Sequence, residues 1–209
     1  MPCQLGPFVG AEGGELMIQY TEESLGIYAV PLYRPRACKE LVESVRADDC
    51  WGPAQVRTWQ WDGGYQTEVV YEARAASILW PARGEEIYRG FHAKLDCLIK
   101  PLVKHLWRAN YNEHADTQLV RYSSGGYYHT HTDNSHDLGA RFFTVLCYLN
   151  DDFEGGGTYF PSLGHTVTPE AGKAIFFPSK YFHRAEPVSG GEKYVLVSWL
   201  LGPPPIRWI

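Results

Sequence analysis

No stretch of the chain offers the roughly 18 uninterrupted apolar residues that a membrane helix needs, so no membrane span is expected. Basic runs are missing too. The 19 Lys and Arg are scattered among 24 Asp and Glu, and the net charge is -5. A surface built to track nucleic-acid phosphates is therefore not expected. Cysteine is sparse and unpatterned: Cys3, Cys38, Cys50, Cys97 and Cys147 are odd in number and include no CxxC pair. Neither a disulfide framework nor a thiolate zinc site is written there, which fits reduced thiols and a cytoplasmic location. Met1 to Glu15 has no basic segment leading into an apolar one, so a secretory signal is not expected. Internal repeats and low-complexity linkers are also lacking.

What is present suits one soluble domain. The chain has 209 residues, 44% of them hydrophobic and 21% charged, and a chain of this length buries roughly 70% of its unfolded surface. Aromatics at 14%, with 21 Gly and 14 Pro, suggest short strands and tight turns around aromatic-lined cavities. Residues 1–24 read as a Gly-rich, polar N-terminal segment, and 25–209 as a single domain. Leu25–Tyr33 reads as a strand whose Pro31 suggests an edge or bulge. Pro35 sits where a helix begins, and Ala37, Leu41, Val42 and Val45 form its apolar stripe. Residues 51–82 suggest strands joined by variable loops. From Glu85 the apolar residues Ile87, Phe91, Leu95, Leu98, Leu102 and Leu106 step by three or four and line one helical face, with a kink expected at Pro101. His92 and His105 on that helix read as surface or satisfied structural histidines.

From Asp116 the period becomes alternating. Eight candidate strands follow: 118–122, 127–133, 142–149, 158–160, 166–168, 174–177, 182–186 and 194–200. Eight short strands in about 85 residues fit a jelly-roll barrel or sandwich, with a small-ligand site at its mouth. The fold class is thus α+β, mainly β. Residues 25–115 form a supporting region and 116–201 the core.

The chemical signal is Tyr127-Tyr-His-Thr-His-Thr-Asp133. On a strand, alternate residues share a face, so His129, His131 and Asp133 point one way. Two imidazoles and a carboxylate can bind a divalent metal while leaving positions open, as in non-haem iron oxygenases. One ligand of such a set usually comes from a distant strand, and His183 is the best candidate. The plainer reading is hydrogen-bonded barrel histidines, and an HxD pair alone would not displace it.

The residues around the pair extend the pattern. Tyr122-x-x-Gly125-x-x-Tyr128 leads into it, and Arg141-x-x-Thr144-x-Leu146-x-Tyr148 follows. Then come Gly155-Gly-Gly-Thr158, Pro169–Phe177, His183-Arg-Ala-Glu-Pro187 and Lys193. This ordered series resembles the prolyl 4-hydroxylase-like branch of the iron(II)- and 2-oxoglutarate-dependent dioxygenases, closely over 116–201 and faintly over 27–44. The resemblance implies a double-stranded β-helix buttressed by N-terminal helices, with His131, Asp133 and His183 holding Fe(II) and His129 as a neighbour. It implies Lys193 as the cation for the distal carboxylate of the cosubstrate 2-oxoglutarate, with the hydroxyls of Tyr148, Thr144 and Tyr122 facing it. It further implies O2 consumption, ascorbate as a reductant, and hydroxylation of an unactivated C–H bond with release of succinate and CO2. Asp133 favours hydroxylation, since related halogenating enzymes lack that carboxylate.

The expected substrate is proline in a peptide, a free amino acid or another small molecule, with no nucleic-acid or membrane partner. The 59–64 segment, the Trp80 neighbourhood and the 134–139 loop are expected as substrate walls. Two rivals stand beside this reading. Oxidative demethylation of nucleic acid by the same chemistry would call for Arg-rich sequence after the distal histidine, where only Arg184 precedes Lys193. A cupin-like or non-catalytic metal-binding barrel would explain His129-x-His131, but Ser135 and His136 stand where its acidic ligand belongs. Gly155–Gly157 lacks a following Lys and reads as a barrel turn rather than a phosphate loop. Cys147 is expected to face away from Leu146 and Tyr148. Trp208-Ile209, after three prolines, would form a tail able to dock on a neighbour.

Overall fold

The computed structural model describes residues 18–134, 138 and 140–202, with the backbone of two paired strands, β1 (Val9–Ala11) and β2 (Gly14–Leu16). The Trp208-Ile209 tail and most of the 134–139 loop lie outside the described residues. An eight-stranded antiparallel sheet forms the back of the molecule. Its order is β3 (Thr21–Ser24), β4 (Ile27–Pro31), β16 (Lys173–Pro178), β12 (Arg141–Tyr148), β19 (Lys193–Leu201), β10 (Glu113–Tyr122), β9 (Ser77–Leu79) and β5 (Trp51–Pro53). A five-stranded sheet provides the other wall: β15 (His165–Val167), β14 (Thr158–Phe160), β17 (His183–Ala185), β11 (Tyr127–His131) and β8 (Arg74–Ala75). Two ribbons complete the strands, β6 (Val56–Trp59) with β7 (Tyr65–Glu68) and β13 (Glu154–Gly155) with β18 (Val188–Gly190). This is the expected mainly β jelly roll with helices against one side.

The large sheet is buried on both faces, so alternation decides which core each residue joins. Ile27, Ala29, Val120, Tyr148, Ile175, Phe177, Val195 and Val197 turn inward between the sheets. Their neighbours Tyr28, Val30, Leu119, Cys147, Phe176 and Leu196 turn outward against the helices. Cys147 thus faces opposite to Leu146 and Tyr148, as its strand position implies. The helical layer is α1 (Pro35–Arg46), α2 (Pro81–Lys94) and α3 (Lys100–Trp107). Pro35 and Pro81 both occupy first-turn positions, where the missing N–H costs nothing. The second helix begins at Pro81, ahead of the expected Glu85.

The expected kink at Pro101 takes a specific form. Leu95–Ile99 makes a π-helical turn, in which Lys100 N–H reaches back five residues to the Leu95 carbonyl. Proline has no N–H, and its ring clashes with the carbonyl four residues earlier, so the ladder widens just ahead of it. The inserted residue rotates the apolar stripe. Phe91, Leu95 and Leu102 are fully buried as expected, but Ile99, Val103 and Trp107 join them, while Leu98 and Leu106 are only partly covered. In α1 the buried residues are Cys38, Val42 and Val45, so Cys38 takes the core position expected of Ala37.

Candidate metal centre

His131 and His183, 52 positions apart, are direct cross-strand partners in the β11–β17 pair. That pairing places the two imidazoles side by side, with ring centroids 4.3 Å apart. Asp133 lies two residues beyond His131, past the end of β11, where its N–H donates to the Ser179 carbonyl at 2.9 Å. The expected strand through Asp133 therefore stops short. An irregularity in the β11–β17 register between Tyr128 and His131 ends simple alternation there. His129 is exposed, and its side chain stands apart from the cluster that His131, Asp133 and His183 form.

The three potential ligand atoms lie within 4.8 Å of one another. Asp133 Oδ1 is 3.4 Å from His131 Nε2, and Oδ2 is 3.4 Å from His183 Nε2. The opposite ring nitrogens are engaged elsewhere. His131 Nδ1 lies 2.7 Å from the His129 carbonyl, and His183 Nδ1 lies 3.0 Å from the Tyr181 carbonyl. A carbonyl only accepts, so each Nδ1 carries the proton and each Nε2 presents a lone pair. The role of His129 is thus its backbone oxygen, which orients the neighbouring ring. Phe177 packs edge-on against His183 at 4.9 Å, and Tyr128 stacks on His131 at 3.6 Å, restraining both rings.

Charge completes the donor set. Burial lowers the His183 pKa to about 4, helped by His131 and opposed by Asp133, so the ring is neutral at pH 7. Burial alone would raise Asp133, but the two imidazoles and the Thr144 hydroxyl hold it well below the usual carboxylate range. One carboxylate and two imidazoles that turn Nε2 toward it are what a divalent cation with open coordination positions requires. The other group of metal-binding residue types among the described residues, Asp48, Asp49 and Cys50, lies at the surface, where Asp48 pairs with Arg83.

The remaining expected residues surround this cluster. Thr144 does not turn its hydroxyl to the cavity. It donates to Asp133 Oδ2 at 2.7 Å and lies 2.9 Å from the Ser179 hydroxyl, so it orients the carboxylate. Lys193 is 2% exposed, yet it lines the cavity. Its ammonium donates to the Gly156 carbonyl at 2.6 Å and sits 5.3 Å and 5.4 Å from the Tyr122 and Tyr148 ring centroids. Burial lowers its pKa to about 7, against a raising effect of Glu186. Tyr122 is the register partner of Lys193 and lines the cavity. Tyr148 instead donates to Thr158 Oγ1 at 2.7 Å, and it is Thr158 that reaches the cavity wall. Gly156 has φ +65°, and a Cβ there would stand 2.8 Å from the Phe153 ring and 3.3 Å from Lys193 Cδ. The Gly-rich turn thus lets backbone approach the lysine.

The cavity, about 390 Å³, runs from the triad toward the β6–β7 ribbon. Val56, Arg57, Tyr65 and Thr67 of that ribbon line it, as does Leu138, whereas Trp61 is fully exposed and Trp80 is not on the wall. The expected wall at 59–64 therefore shifts to the paired strands flanking that turn. Sequence reading missed Arg74 and Ser179. Thr158 and Arg141 stood in the motif series without a role; both line the cavity, and Arg141 pairs with Asp116 and lies 4.0 Å over the Trp199 ring.

Residues 117–201 match the family model described as the 2OG-Fe(II) oxygenase superfamily. A protein of Acanthamoeba polyphaga mimivirus that carries a prolyl 4-hydroxylase name is 31% identical over 131 residues, 51% of this chain and 54% of its own. The chain thus spans about half the length of that viral relative, and 25% or less of the animal prolyl 4-hydroxylase alpha-1 subunits it also matches. Among solved structures, a Pseudomonas putida prolyl-4-hydroxylase superposes with TM-score 0.67 at 22% identity, covering 86% of this chain and 94% of that one. A prolyl hydroxylase from Trichoplax adhaerens gives 0.66 at 18% identity, covering 85% and 84%. These two likenesses are of fold.

Proposed function

From a chain that is prolyl 4-hydroxylase-like and carries the core of the 2OG-Fe(II) oxygenase superfamily in residues 117–201, we propose an Fe(II)- and 2-oxoglutarate-dependent hydroxylase. Its products would be a hydroxylated C–H position, succinate and CO2. The observation that carries this is the convergence of His131, Asp133 and His183, with both Nδ1 atoms tied to backbone carbonyls, in a cavity that also holds a buried lysine.

His131 Nε2, Asp133 and His183 Nε2 would hold the ferrous ion, which when bound with 2-oxoglutarate and O2 supplies the oxidising chemistry. Thr144 and Ser179 keep the Asp133 carboxylate in place. Lys193 receives the distal carboxylate of the cosubstrate, whose charge would restore full protonation of an ammonium that burial has weakened. Tyr122 and Thr158 border that position from β10 and β14. Val195, Val197 and Leu146 line the wall and exclude water. The substrate enters between the β6–β7 ribbon and the back sheet. The substrate we propose is proline in a peptide or as a free amino acid, by likeness to the relatives' names. The Trichoplax enzyme was solved in complex with a peptide fragment. Ascorbate would serve as the external reductant, and the cytoplasm as the setting.

Anaerobic titration with Fe(II) and then 2-oxoglutarate, followed by succinate measurement under air, tests the proposal. The expected result is one metal per chain, tight 2-oxoglutarate binding only with metal, and succinate formation that His131→Ala abolishes. Metal binding without 2-oxoglutarate binding would leave a non-catalytic barrel.

A further inference from the structure

One charged side chain in the cavity has no part in the chemistry above. Arg74, on β8, is only 7% exposed and lines the cavity wall. Its Nη1 donates to the Gln55 carbonyl at 3.2 Å, and its Nη2 donates to Gln118 Oε1 at 3.3 Å. The guanidinium lies 4.8 Å over the Tyr128 ring and beside the Tyr122 hydroxyl, and Nε is buried with no partner. Every one of these contacts is neutral. The other basic groups on the wall are spoken for: Arg141 pairs with Asp116, Arg57 is engaged, and Lys193 serves the cosubstrate. Among the described residues no carboxylate comes within ion-pair distance of Arg74.

A guanidinium does not shed its proton, so burial without a counter-charge is unfavourable until an anion arrives. Its planar fork matches the two oxygens of a carboxylate, and Nε, closed off without a partner, would gain one if the fork turned toward an incoming anion. The location is also specific. Tyr128 stacks on His131 at 3.6 Å and 21°, and the Arg74 guanidinium lies 4.8 Å from the centroid of the same ring. Guanidinium and ligand imidazole thus share Tyr128 as a neighbour on the cavity wall. A molecule anchored by a carboxylate at Arg74 would cross the Tyr128 ring and present a carbon a few bonds away to the triad.

The geometry points to Arg74 as the receptor for a carboxylate on the substrate itself, distinct from both carboxylates of the cosubstrate. This deepens the oxygenase reading and rests on it, because it assigns Lys193 to 2-oxoglutarate. The carboxylate could be the α-carboxylate of a free or C-terminal residue, or the side chain of an acidic residue beside the target. A merely structural Arg74, bracing Gln55 and Gln118, would make no distinction between charged and neutral substrates.

Two matched pairs of probes separate these cases, titrated calorimetrically into protein loaded with Mn(II) and 2-oxoglutarate. The first pair is N-acetyl-L-proline against N-acetyl-L-prolinamide. The second is N-acetyl-Pro-Glu-amide against N-acetyl-Pro-Gln-amide. The charged member of at least one pair is expected to bind about tenfold or more tightly than its neutral twin. A preference in the first pair identifies an α-carboxylate, and in the second a side-chain carboxylate. The ratio should fall to about one in Arg74→Gln and partly survive in Arg74→Lys. Because it is taken within each variant, a general loss of packing does not imitate this result. Equal binding of both twins in both pairs, a ratio that persists in Arg74→Gln, or no binding of either charged probe would overturn the inference. Failure of 2-oxoglutarate to bind the Mn(II) protein would instead sink the oxygenase reading.

Discussion

Replacing Lys193 by Met should make the ligand-free protein more stable while disabling it. The ammonium is 2% exposed, and burial takes its pKa from 10.5 to about 7. That displacement corresponds to about 5 kcal/mol of penalty on the charged form. At pH 7 roughly half the folded population has shed the proton, so the cost actually borne is about 4 kcal/mol. Removing the side-chain donor leaves the Gly156 carbonyl unpaired, which takes back about 1 kcal/mol. Met fills nearly the same volume, so a net gain of about 2–3 kcal/mol is expected near neutrality. The sign follows from proton counting. Between pH 7 and 10.5 the unfolded chain holds the Lys193 proton more often than the folded one, so wild-type stability rises with pH across that window. The advantage of the variant should therefore shrink to almost nothing by about pH 9.5. Urea unfolding of metal-free protein at both pH values reads this directly. In the metal-loaded protein, 2-oxoglutarate affinity should drop by about 100-fold or more in the variant. A Lys193→Met protein that is less stable at pH 7, or whose stability difference ignores pH, would refute the reasoning and make the lysine a structural strut.

Other outcomes follow from the same geometry. In the wild type, 2-oxoglutarate affinity should hold steady below pH 7 and fall by about tenfold per pH unit above it, because the ligand binds the protonated lysine; titration from pH 6 to 9 with Mn(II) present checks this. His129→Ala should leave metal affinity within about threefold of wild type, since only its backbone oxygen is used, whereas His131→Ala should lose binding; equilibrium dialysis with Fe(II) compares them. Thr144→Val removes the hydroxyl that donates to Asp133 and should weaken metal binding by about 10- to 100-fold with the fold intact by circular dichroism. Gly156→Ala puts a methyl group against Phe153 and the lysine stem at a positive φ, and should cost about 1–3 kcal/mol in urea unfolding together with part of the 2-oxoglutarate affinity.

How much of this was legible in the chain depends on where each constraint originates. Eight strands of the core could be read because Gly, Pro, Asn and Asp separate them, whereas the short β13–β18 ribbon, two and three residues long, carries no period and was not read. Observed bounds differ from the expected ones mainly by a residue or two, apart from the five extra residues that start β10. The π turn was not readable as such, because a proline in a helical pattern announces a disturbance without stating whether the helix bends or widens. Its effect is nonetheless specific, exchanging Leu98 and Leu106 for Ile99, Val103 and Trp107 in the core. At the metal centre the limit is sharper. Period-two spacing put His129, His131 and Asp133 on one face, yet the register break between Tyr128 and His131 removes His129 from the set. A bulge is a property of two strands together, so one strand's spacing does not contain it. Thr144 and Arg74 show the same limit from the side of chemistry. Thr144 sits at a strand position whose facing direction is readable and Arg74 on a two-residue strand that is not, but in both cases the partner, or its lack, exists only once β8, β11, β12 and the Ser179 turn have met. Of the residues proposed to bind the metal, the His131 and Asp133 pair answers to spacing along the chain, whereas His183 and the residues proposed to govern what the site accepts answer to how the sheets close.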